Sequence, residues 1–540
     1  MATVAASGLP APSPAASVPA RPAPTSDRIE PRRLVAFMAM VFGMFMAILD
    51  IQIVSASLAE IQAGLSASAD EISWVQTAYL IAEVIMIPLS GFLGRAFSTR
   101  YLFAASAAGF TIASALCATA GSLEQMIVYR AIQGFIGGGM IPSVFAAAFT
   151  IFPPSKRNVV SPIIGLVATL APTIGPTVGG YLTELFSWHW LFLVNVIPGI
   201  AVTIATYTLV DFDKPDLSLM DRFDWWGLAF MGTFLGSLEY VLEEGPTKDW
   251  FEEPLIVVFT VTMVVAAVAF FWRVLTAEEP IVDLRAFKDR NFAGGSLFSF
   301  ILGIGLYGLT YLYPLYLGRV RGYSALQIGE TMFVTGLCMF FTAPVAGRLS
   351  SKLDPRVLLF FGLIGFASGT YIASGLTKDW DFGELLVPQV LRGVSLMFCM
   401  VPINNLALGT LPPARLKNAS GLYNLTRNLG GAVGLAIINT VINDRMDLHL
   451  ARLHETVNWS RNAAVETLAA IQGSLSRLGS DAELAGVKRL AGLVRREAQV
   501  MAFADAFTLL TGLFLVTALL VVFLRKPAPP KPGAAAGGGH

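Results

Sequence analysis

Long apolar runs recur along the whole chain, and polar residues are concentrated in the stretches between them. A helix needs about 20 predominantly apolar residues to cross the hydrocarbon core of a bilayer. Runs of that length occur fourteen times, and each predicts a transmembrane helix. The predicted spans are 34–58, 73–93, 101–120, 125–149, 160–182, 190–210, 223–242, 254–272, 292–317, 326–346, 357–375, 384–411, 419–443 and 504–524.

Basic residues indicate how these spans are oriented. If the N-terminus lies inside, the tails and connections on the inner side hold most of the 37 Lys and Arg residues. Short cytoplasmic connections of membrane proteins are enriched in both residue types. The sequence therefore predicts that both termini are cytoplasmic, and that the long connection 444–503 lies outside. Its apolar residues at helical spacing predict short amphipathic helices there.

The chain also repeats part of itself. The segments 88–103 and 343–360 each contain a Pro, a Gly three residues later and an Arg nine residues after that. A second pair of segments surrounds Arg130 and Arg392, and each contains a helical Pro and a Pro-Pro turn. Duplicated helical halves are a recurrent transporter plan with the substrate site between the halves.

The repeat and the spans together predict five parts. These are a disordered cytoplasmic tail (1–33), a six-helix half (34–210), two inserted helices (211–291), a second six-helix half (292–524) that includes the outer segment 444–503, and a cytoplasmic C-terminal tail (525–540). The fold class is an all-α integral membrane protein.

Composition narrows the class of protein. The chain is 55% hydrophobic and 14% charged, with a mean hydropathy of +0.64, which indicates an integral membrane protein. Its net charge of zero offers no electrostatic attraction for nucleic acid. Cys117, Cys338 and Cys399 fall in apolar runs, which predicts packing residues rather than disulfides or metal ligands. A Walker motif, metal-type His spacing and a Ser-His-Asp arrangement are absent from the sequence, so neither an enzyme nor an ATP-driven pump is expected.

Ionisable residues inside the predicted spans are the candidates for function, because a charge near the bilayer centre costs about 2.5–3.5 kcal/mol on insertion scales. They are Asp50, Glu83, Arg130, Glu239, Glu330, Arg392 and Arg427. A buried carboxylate can bind and release a proton as its surroundings change, whereas an Arg stays charged and sets the electrostatics of a neighbour. The alternative for each residue is a structural pair or hydrogen bond. That alternative is preferred for Arg392, and a solvated helix end is preferred for Glu330.

Four motifs resemble those of the fourteen-span drug:proton antiporters of the major facilitator superfamily. LDIQIVSASL (49–58) is similar to the family's first-span motif, GFLGRAFSTR (91–100) to its loop motif and YRAIQGFIGGG (129–139) to its fourth-span motif. APTIGPTVGG (171–180) is similar to the antiporter signature of the fifth span, which is associated with export. The segment after span thirteen, INDRMDLHLARLHETV, resembles EmrB-type multidrug export proteins.

The resemblance implies roles for individual residues. It implies proton coupling by Asp50 and Arg130 without a cofactor, driven by the proton gradient, and the intramembrane charges of Glu83 and Glu239 make them further candidates for proton coupling. The substrate-pocket candidates are Glu83, Tyr311, Asn404 and Arg427; the hinge candidates are Ala171, Pro172, Gly175, Pro176, Gly179 and Gly180; and the gating-loop candidates are Gly91, Arg95, Arg100, Gly347, Arg348 and Arg356. A metal site is not expected.

Several positions depart from the family pattern. Arg95 and Ser98 stand where the loop motif usually has Asp and Gly, and His189 stands in place of a common Arg. In the first-span motif, Gln52, Ser55 and Ala59 replace the usual Thr, Asn and Pro. These changes bear on gating and substrate rather than on fold.

The fifth-span signature has a smooth face of small residues, Ala171, Gly175 and Gly179, beside two prolines. The matching part of the second half, RNLGGAVGLA, has no proline. Small residues allow close helix approach in membranes. We therefore expect span five to bend and to pack against the opposite half while the site changes sides.

The resemblance implies a proton-coupled exporter of hydrophobic or cationic drugs in the bacterial inner membrane. Its partners would be small hydrophobic substrates, protons, the lipid bilayer, a periplasmic adaptor and an outer-membrane channel. Two alternatives stay open from the sequence. One is a proton-linked exporter of an endogenous lipid, fatty acid or siderophore, and the other is a membrane sensor or scaffold without transport.

Overall fold

A computed structural model describes residues 30–68, 71–277, 280–475 and 481–524, and its regular structure in these ranges is helical throughout. The helices are α1 (Pro31–Ala56), α2 (Leu58–Leu65), α3 (Trp74–Ala96), α4 (Ser98–Cys117), α5 (Leu123–Gly137), α6 (Met140–Ile151), α7 (Pro154–Leu185), α8 (Trp190–Leu193), α9 (Val196–Leu209), α10 (Trp225–Glu244), α11 (Pro254–Thr276), α12 (Arg290–Tyr316), α13 (Ala325–Lys352), α14 (Pro355–Ala373), α15 (Phe382–Leu408), α16 (Pro413–Thr456), α17 (Asn462–Ser474) and α18 (Ala482–Leu520).

All fourteen predicted spans fall on these helices. Thirteen helical segments are long and apolar enough to cross a membrane, and α5 with α6 and α8 with α9 each form one of them. The fourteenth predicted span is α10, a helix of 20 residues. Glu239, Glu243 and Glu244 lie on α10, and these three carboxylates lower its hydropathy without changing its length.

The predicted tails lie mostly outside the described residues. Helix α1 begins at Pro31, three residues before the predicted first span at residue 34. Proline is favoured at the first helical position, since its fixed φ suits a helix and its missing N–H would have had no partner there. The division of the chain into halves and an insert stays a prediction.

Helices from the two predicted halves meet along two main interfaces, α7 with α13 and α3 with α16. Glycines allow both to approach closely. A Cβ atom added at Gly329 of α13 would lie 2.0 Å from Oγ1 of Thr177, and one added at Gly421 of α16 would lie 3.0 Å from the carbonyl oxygen of Ile87. The interfaces therefore depend on the absence of side chains at these positions.

The predicted hinge helix α7 is continuous through Pro162, Pro172 and Pro176. It packs against α13 of the opposite half, as expected, whereas its small face packs within its own half. A Cβ atom at Gly175 would lie 2.4 Å from Cβ of Gln52, and one at Gly179 would lie 3.0 Å from the carbonyl oxygen of Ile53. Both partners belong to α1, in the same predicted half. The physical reason is that the glycines of α13 supply the smooth surface across the interface between the halves.

The other hinge candidates lie in the same stretch of α7. Ala171, Pro172 and Gly180 are buried, whereas Pro176 is half-buried. Whether this stretch acts as a hinge stays a prediction.

The outer segment 444–503 differs from a set of separate short helices. Helix α16 extends beyond the predicted span thirteen to Thr456, and α18 begins at Ala482, well before the predicted span fourteen. Only α17 is short and separate within the described part of this segment. His449 of α16 and Asp505 of α18 join the two long helices, with Nε2 and Oδ2 2.8 Å apart. Continuous helices arise here because no Pro or Gly interrupts the sequence between the membrane part of α16 and its end.

Replacement of Gly175 by alanine is expected to destabilise the protein by about 1–3 kcal/mol, the usual cost of overpacking a core. The added methyl group would meet the Cβ atom of Gln52, which is fixed to the α1 backbone. Thermal unfolding in detergent, followed by tryptophan fluorescence, measures the effect.

The matched control is Gly512→Ala in α18, where nothing lies within 4 Å of the added atom. Because alanine favours a helix over glycine by about 1 kcal/mol, the control should be neutral or stabilising. Equal unfolding temperatures for the two variants would contradict the close packing of α7 on α1.

Candidate functional site

The side chain of Asp50 lies fully buried in α1, bonded to groups from other helices of the first half. Its Oδ2 accepts a hydrogen bond of 2.6 Å from Nη1 of Arg130 on α5. Its Oδ1 accepts bonds from Nε2 of Gln133, at 3.1 Å, and from Nδ2 of Asn195, at 2.7 Å. The exposed fraction of both charged side chains is zero. The two charges therefore compensate each other away from water.

The fourth-span sequence places Arg130 in this position. Gly134, one turn later on α5, allows α3 to approach so closely that a Cβ atom would lie 2.3 Å from the carbonyl oxygen of Tyr79. At this separation Nε of Arg130 donates to the carbonyl oxygen of Val75, at 3.2 Å, and the guanidinium lies 4.2 Å from the centre of the Tyr79 ring. Gly134 thus helps to position Arg130, because the close approach of α3 brings the Tyr79 ring and the Val75 carbonyl oxygen against the guanidinium.

Gln133 links the ion pair to α4. Its Oε1 accepts from Nη1 of Arg130 at 2.7 Å, while its Nε2 also donates to Oγ of Ser114 at 2.8 Å. Removing one partner of such a buried pair typically costs about 3–5 kcal/mol, because the other charge is left uncompensated. The network therefore holds α1, α4, α5 and the end of α8 in one arrangement.

The second half has the same Arg but not the same carboxylate. Arg392 of α15 is buried, and its Nη2 donates to Oγ1 of Thr310 on α12, at 2.5 Å. Nε and Nη1 of Arg392 have no hydrogen-bond partner among the described residues. Thr310 thus occupies the role that Asp50 has in the first half, without its charge. The hydrogen bond to Thr310 is a structural contact of the kind preferred for Arg392 from the sequence.

Glu83 is not part of the Asp50 network. It lies on α3, is 3% exposed, and its Oε1 has no hydrogen-bond partner within the described residues. It lies within electrostatic reach of Arg130 and of Arg427, which belongs to α16. Arg427 in turn lies 5.1 Å from the centre of the Phe145 ring, and its Nη2 donates to Oδ1 of Asn424. Glu83 and Arg427 therefore bring opposite charges to the interface between α3 and α16.

The inserted helix α10 packs on α3 and brings Glu239 within electrostatic reach of Glu83. Glu244, at the end of α10, accepts hydrogen bonds from Ser73, at 3.0 Å, and Thr77, at 3.4 Å. At the other end, Oδ1 of Asp224 accepts from Nε of Arg273 on α11, at 2.9 Å. Polar contacts thus join the insert to the first half and, within the insert, join the start of α10 to α11. The sequence reasoning missed these contacts.

The remaining pocket candidates already have partners within the protein. The hydroxyl of Tyr311 donates to Oδ1 of Asn439 at 2.7 Å, and the hydroxyl of Tyr423 donates to Oδ1 of Asn404 at 2.5 Å. Their part in substrate binding stays a prediction. Glu330 is exposed at the start of α13, as the prediction of a solvated helix end requires.

In the described ranges, no three His, Cys, Asp or Glu residues are placed to bind a metal together. The buried cation of this site is instead the guanidinium of Arg130.

A family model described as Major Facilitator Superfamily matches residues 40–435. This chain belongs to the major facilitator superfamily. It is therefore a membrane transporter rather than an enzyme.

Relatives of known name extend the match over nearly the whole chain. The colistin resistance protein EmrB of Acinetobacter baumannii is 41% identical over 490 residues, covering 91% of this chain and 96% of that protein. The multidrug export protein EmrB of Escherichia coli K12 is 33% identical, covering 94% and 97%. The fatty acid resistance protein FarB of Neisseria gonorrhoeae is 30% identical, covering 93% and 97%. The chain is an EmrB-type member of the superfamily.

The human organic anion transporter MFSD10 has the same fold. Its crystal structure aligns with a TM-score of 0.58 at 15% identity, covering 91% of this chain and 100% of that one. At this identity the likeness concerns the fold alone.

The loop motif of this superfamily member lies where α3 and α16 meet. A Cβ atom at Gly91 would lie 2.8 Å from Cα of Asn418 on α16. The guanidinium of Arg95 lies 5.8 Å from the centre of the Phe92 ring, and that of Arg100 lies 4.8 Å from the centre of the Tyr207 ring. Among the gating candidates in this motif, Gly91 contacts the second half.

In the second half, Gly347 and Arg348 lie on α13, and Arg356 begins α14. Nη2 of Arg356 donates to Oδ2 of Asp354 at 2.8 Å, and Nη1 donates to the carbonyl oxygen of Leu524 at 3.2 Å. These bonds hold α14 to the end of the last span. A gating role for the three residues stays a prediction.

A contact between the halves at this end of the bundle comes from residues that the sequence reasoning missed. Nζ of Lys417, near the start of α16, donates to Oδ2 of Asp213 and, at 2.7 Å, to the carbonyl oxygen of Gly94. The same Asp213 oxygen accepts from the backbone N–H of Thr99, at 2.8 Å, and from its hydroxyl, at 2.7 Å. Asp213 therefore supplies a carboxylate to the loop region in which Arg95 stands in place of the family's Asp.

Asp213→Asn is expected to loosen this end of the bundle, since the bond from Lys417 loses its ionic character while the size of the side chain is kept. Ser90 and Ser420 line a narrow cleft beside Lys417 from opposite halves. A Ser420→Cys reporter should be alkylated several-fold faster in Asp213→Asn than in the parent protein.

Asp211→Asn is the matched control, because Asp211 is exposed two residues away. Equal alkylation rates for both Asp variants would exclude a role for the Lys417 contact in holding the halves together.

Thr310→Asp is expected to raise the free energy of unfolding by about 1.5–3 kcal/mol, the usual contribution of a hydrogen bond to a charged group. The new carboxylate would compensate the buried guanidinium of Arg392, as Asp50 compensates Arg130. Thermal unfolding of the purified protein provides the measurement. Thr310→Asn, which matches Asp in size but lacks its charge, is the control. A Thr310→Asp protein no more stable than Thr310→Asn would contradict an uncompensated charge at Arg392.

Proposed function

We propose that the chain is a proton-coupled exporter of hydrophobic or cationic drugs that works by alternating access between its two halves. The observation that supports this function best is the buried Asp50–Arg130 pair. The carboxylate has no exposed surface, and the positive charge of Arg130 stabilises its ionised form. A movement that separates the two side chains would therefore favour proton uptake by Asp50. Inward proton movement through this group would drive outward substrate movement.

Glu83 is the proposed contact for a cationic substrate. Its free Oε1 lies within electrostatic reach of Arg427, so a positive group beside Glu83 would replace part of the compensation that Arg427 gives. Aromatic groups such as the Phe145 ring are close to Arg427 and suit the apolar part of a drug. Glu239 of the insert is the proposed additional proton carrier near this contact.

The names of the relatives favour two substrate classes. Two of them are named for colistin resistance and multidrug export, which supports efflux of drugs. A third is named for fatty acid resistance, which favours a fatty acid exporter as the second candidate function. The buried Glu83 favours a cationic compound over a fatty acid, because a fatty acid carboxylate would place a like charge beside it.

The proposed location is the bacterial inner membrane with both termini cytoplasmic, as the distribution of basic residues suggests. We propose that the extensions of α16 and α18 with α17 dock a periplasmic adaptor that connects the pump to an outer-membrane channel. The exposed polar faces of these extensions and their length support this proposal. An efflux-deficient strain expressing the chain with and without a periplasmic adaptor tests the requirement.

Asp50→Asn is expected to abolish uphill transport while substrate binding persists, because the amide matches the carboxylate in size but cannot carry a proton. The protein is reconstituted into vesicles with an imposed pH gradient. A fluorescent lipophilic cation and a fluorescent fatty acid are each offered as substrate, and a trapped pH dye reports proton flux.

Asp447→Asn is the control, since Asp447 is exposed on the extension of α16. An Asp50→Asn protein that accumulates substrate against its gradient with unchanged proton dependence would remove Asp50 from the mechanism. A parent protein that moves no protons with either substrate would favour a scaffold over a pump.

A further inference from the structure

Every side chain bonded to Asp50 donates a hydrogen bond to it. Arg130 donates to Oδ2, and the amide groups of Gln133 and Asn195 donate to Oδ1. This arrangement suits an ionised carboxylate, which only accepts. A protonated carboxylic acid carries an O–H that needs an acceptor, and an unmet buried donor is costly. Proton uptake by Asp50 therefore requires one of the three partners to change from donor to acceptor.

The three partners differ in their ability to make that change. A guanidinium has no acceptor atom, which excludes Arg130. Oε1 of Gln133 now accepts a hydrogen bond of 2.7 Å from Nη1 of Arg130 and one of 3.6 Å from Sγ of Cys117. Rotation of the Gln133 amide would break both bonds and turn its NH2 group toward the donor Nη1. Gln133 is therefore held in its present orientation by two donors.

Asn195 is free of such constraints. Within the described residues, the hydrogen bond of its side chain is the one to Asp50. A half-turn of its amide breaks that single bond and presents Oδ1 to the carboxyl group. Asn195 is 2% exposed, so water does not replace the protein partner.

The backbone around Asn195 favours rotation of the side chain over movement of the helix. Asn195 lies between α8 and α9, and its carbonyl oxygen accepts from the N–H of Gly199 at 2.9 Å. A Cβ atom at Gly199 would lie 2.0 Å from Oγ1 of Thr111 on α4, so α9 is packed closely against α4. The amide can therefore turn while α9 stays in place.

The other titratable and charged groups around the carboxylate come from α3, α4 and α5. They are Tyr79, Glu83, Cys117 and Arg130. Helices α6 and α8 contain no titratable side chain. On the remaining neighbours, Tyr207 of α9 packs against Tyr101, and Tyr181 and Glu184 of α7 are exposed near its end.

We propose that Asn195 is a positioning residue that follows the protonation state of Asp50. It donates to Oδ1 of the ionised carboxylate and, after one proton has bound at Oδ1, turns its amide and accepts the new O–H. The proton comes from the aqueous phase and converts the negatively charged carboxylate into a neutral carboxylic acid. The new O–H bond is the only covalent bond of the protein that changes. This inference rests on the proposed proton coupling at Asp50.

Infrared difference spectroscopy between low and high pH tests the inference on the full-length protein in vesicles. The parent protein should show a carboxylic acid band from Asp50 together with a shift of one amide carbonyl band. Asn195→Leu should remove the amide shift, and so should Asp50→Asn. Gln133→Leu should leave it. An amide shift that persists in Asn195→Leu, or one that disappears in Gln133→Leu alone, would overturn the proposal.

Transport provides a second readout. Loss of the amide in Asn195→Leu should move the pH midpoint of substrate-driven proton release upward, by up to about tenfold in proton concentration, since the bond lost to the charged form is the stronger one. Asn195→Ser introduces a hydroxyl that can donate and accept, so its pH midpoint should lie between those of the parent and the leucine variant. It also provides the measurement if the leucine variant fails to fold. Thr203→Val on α9 is the control, because Thr203 donates only to the carbonyl oxygen of Gly199.

The outcomes for the inference and for the proposed function are distinct. An Asp50 that shows no acid band at any pH overturns the proton-coupled function itself. An acid band from Asp50 without a coupled amide shift leaves that function intact and overturns the role of Asn195. A midpoint in Asn195→Leu equal to that of Thr203→Val does the same.

Discussion

The first half of the transporter is organised around one constraint, which is that a charge cannot lie in a dry helical bundle without compensation. Asp50 and Arg130 meet this constraint together, and each needs the other because neither has any exposed surface. Their geometry requires α1, α3 and α5 to approach closely, which Gly134 permits. Gln133 and Asn195 then donate to the other carboxylate oxygen, Oδ1. A substitution at any of these positions therefore affects several helices at once.

The repeat makes the asymmetry between the halves informative. Both halves have an Arg at the same place in the fourth helix of the repeat, yet only the first half opposes it with a carboxylate. Arg392 has the hydroxyl of Thr310 instead, so its charge cannot be cancelled or restored by a single proton. Under the proposed mechanism, the proton-dependent change belongs to the first half. The second half contributes constant positive charges, and that of Arg427 lies at the interface, beside Phe145 of the first half.

The sequence was a good guide to the spans and to the charged residues, and a poor guide to what surrounds them. Hydropathy alone located α10 despite its three carboxylates, and the cost of intramembrane charge pointed to Asp50 and Arg130. The sequence could not indicate that Asn195 binds Asp50 or that Lys417 contacts Asp213. Uncharged amides and loop carboxylates are common, and their partners lie 145 and 204 residues away in the chain. For a related reason the sequence did not show which helix meets the small face of α7, since a row of small residues shows that a helix approaches closely without showing which one.

The two interfaces between the halves suit a molecule that has to separate them repeatedly. At α7 and α13, Gly329 and Gly336 face Thr177 and Leu170, so the contact is close and mainly apolar. At α3 and α16, Gly91 and Gly421 allow similar approach, and beside this interface Lys417 of α16 forms an ion pair with Asp213, which follows α9. Apolar packing between helices in a bilayer has no hydrophobic driving force behind it, because lipid is as apolar as the partner. Opening such an interface therefore exchanges one set of dispersion contacts for another at small net cost. Under the proposed mechanism, the proton binds within the first half, where the strong polar bonds lie, and the interface with few such bonds is the one that moves.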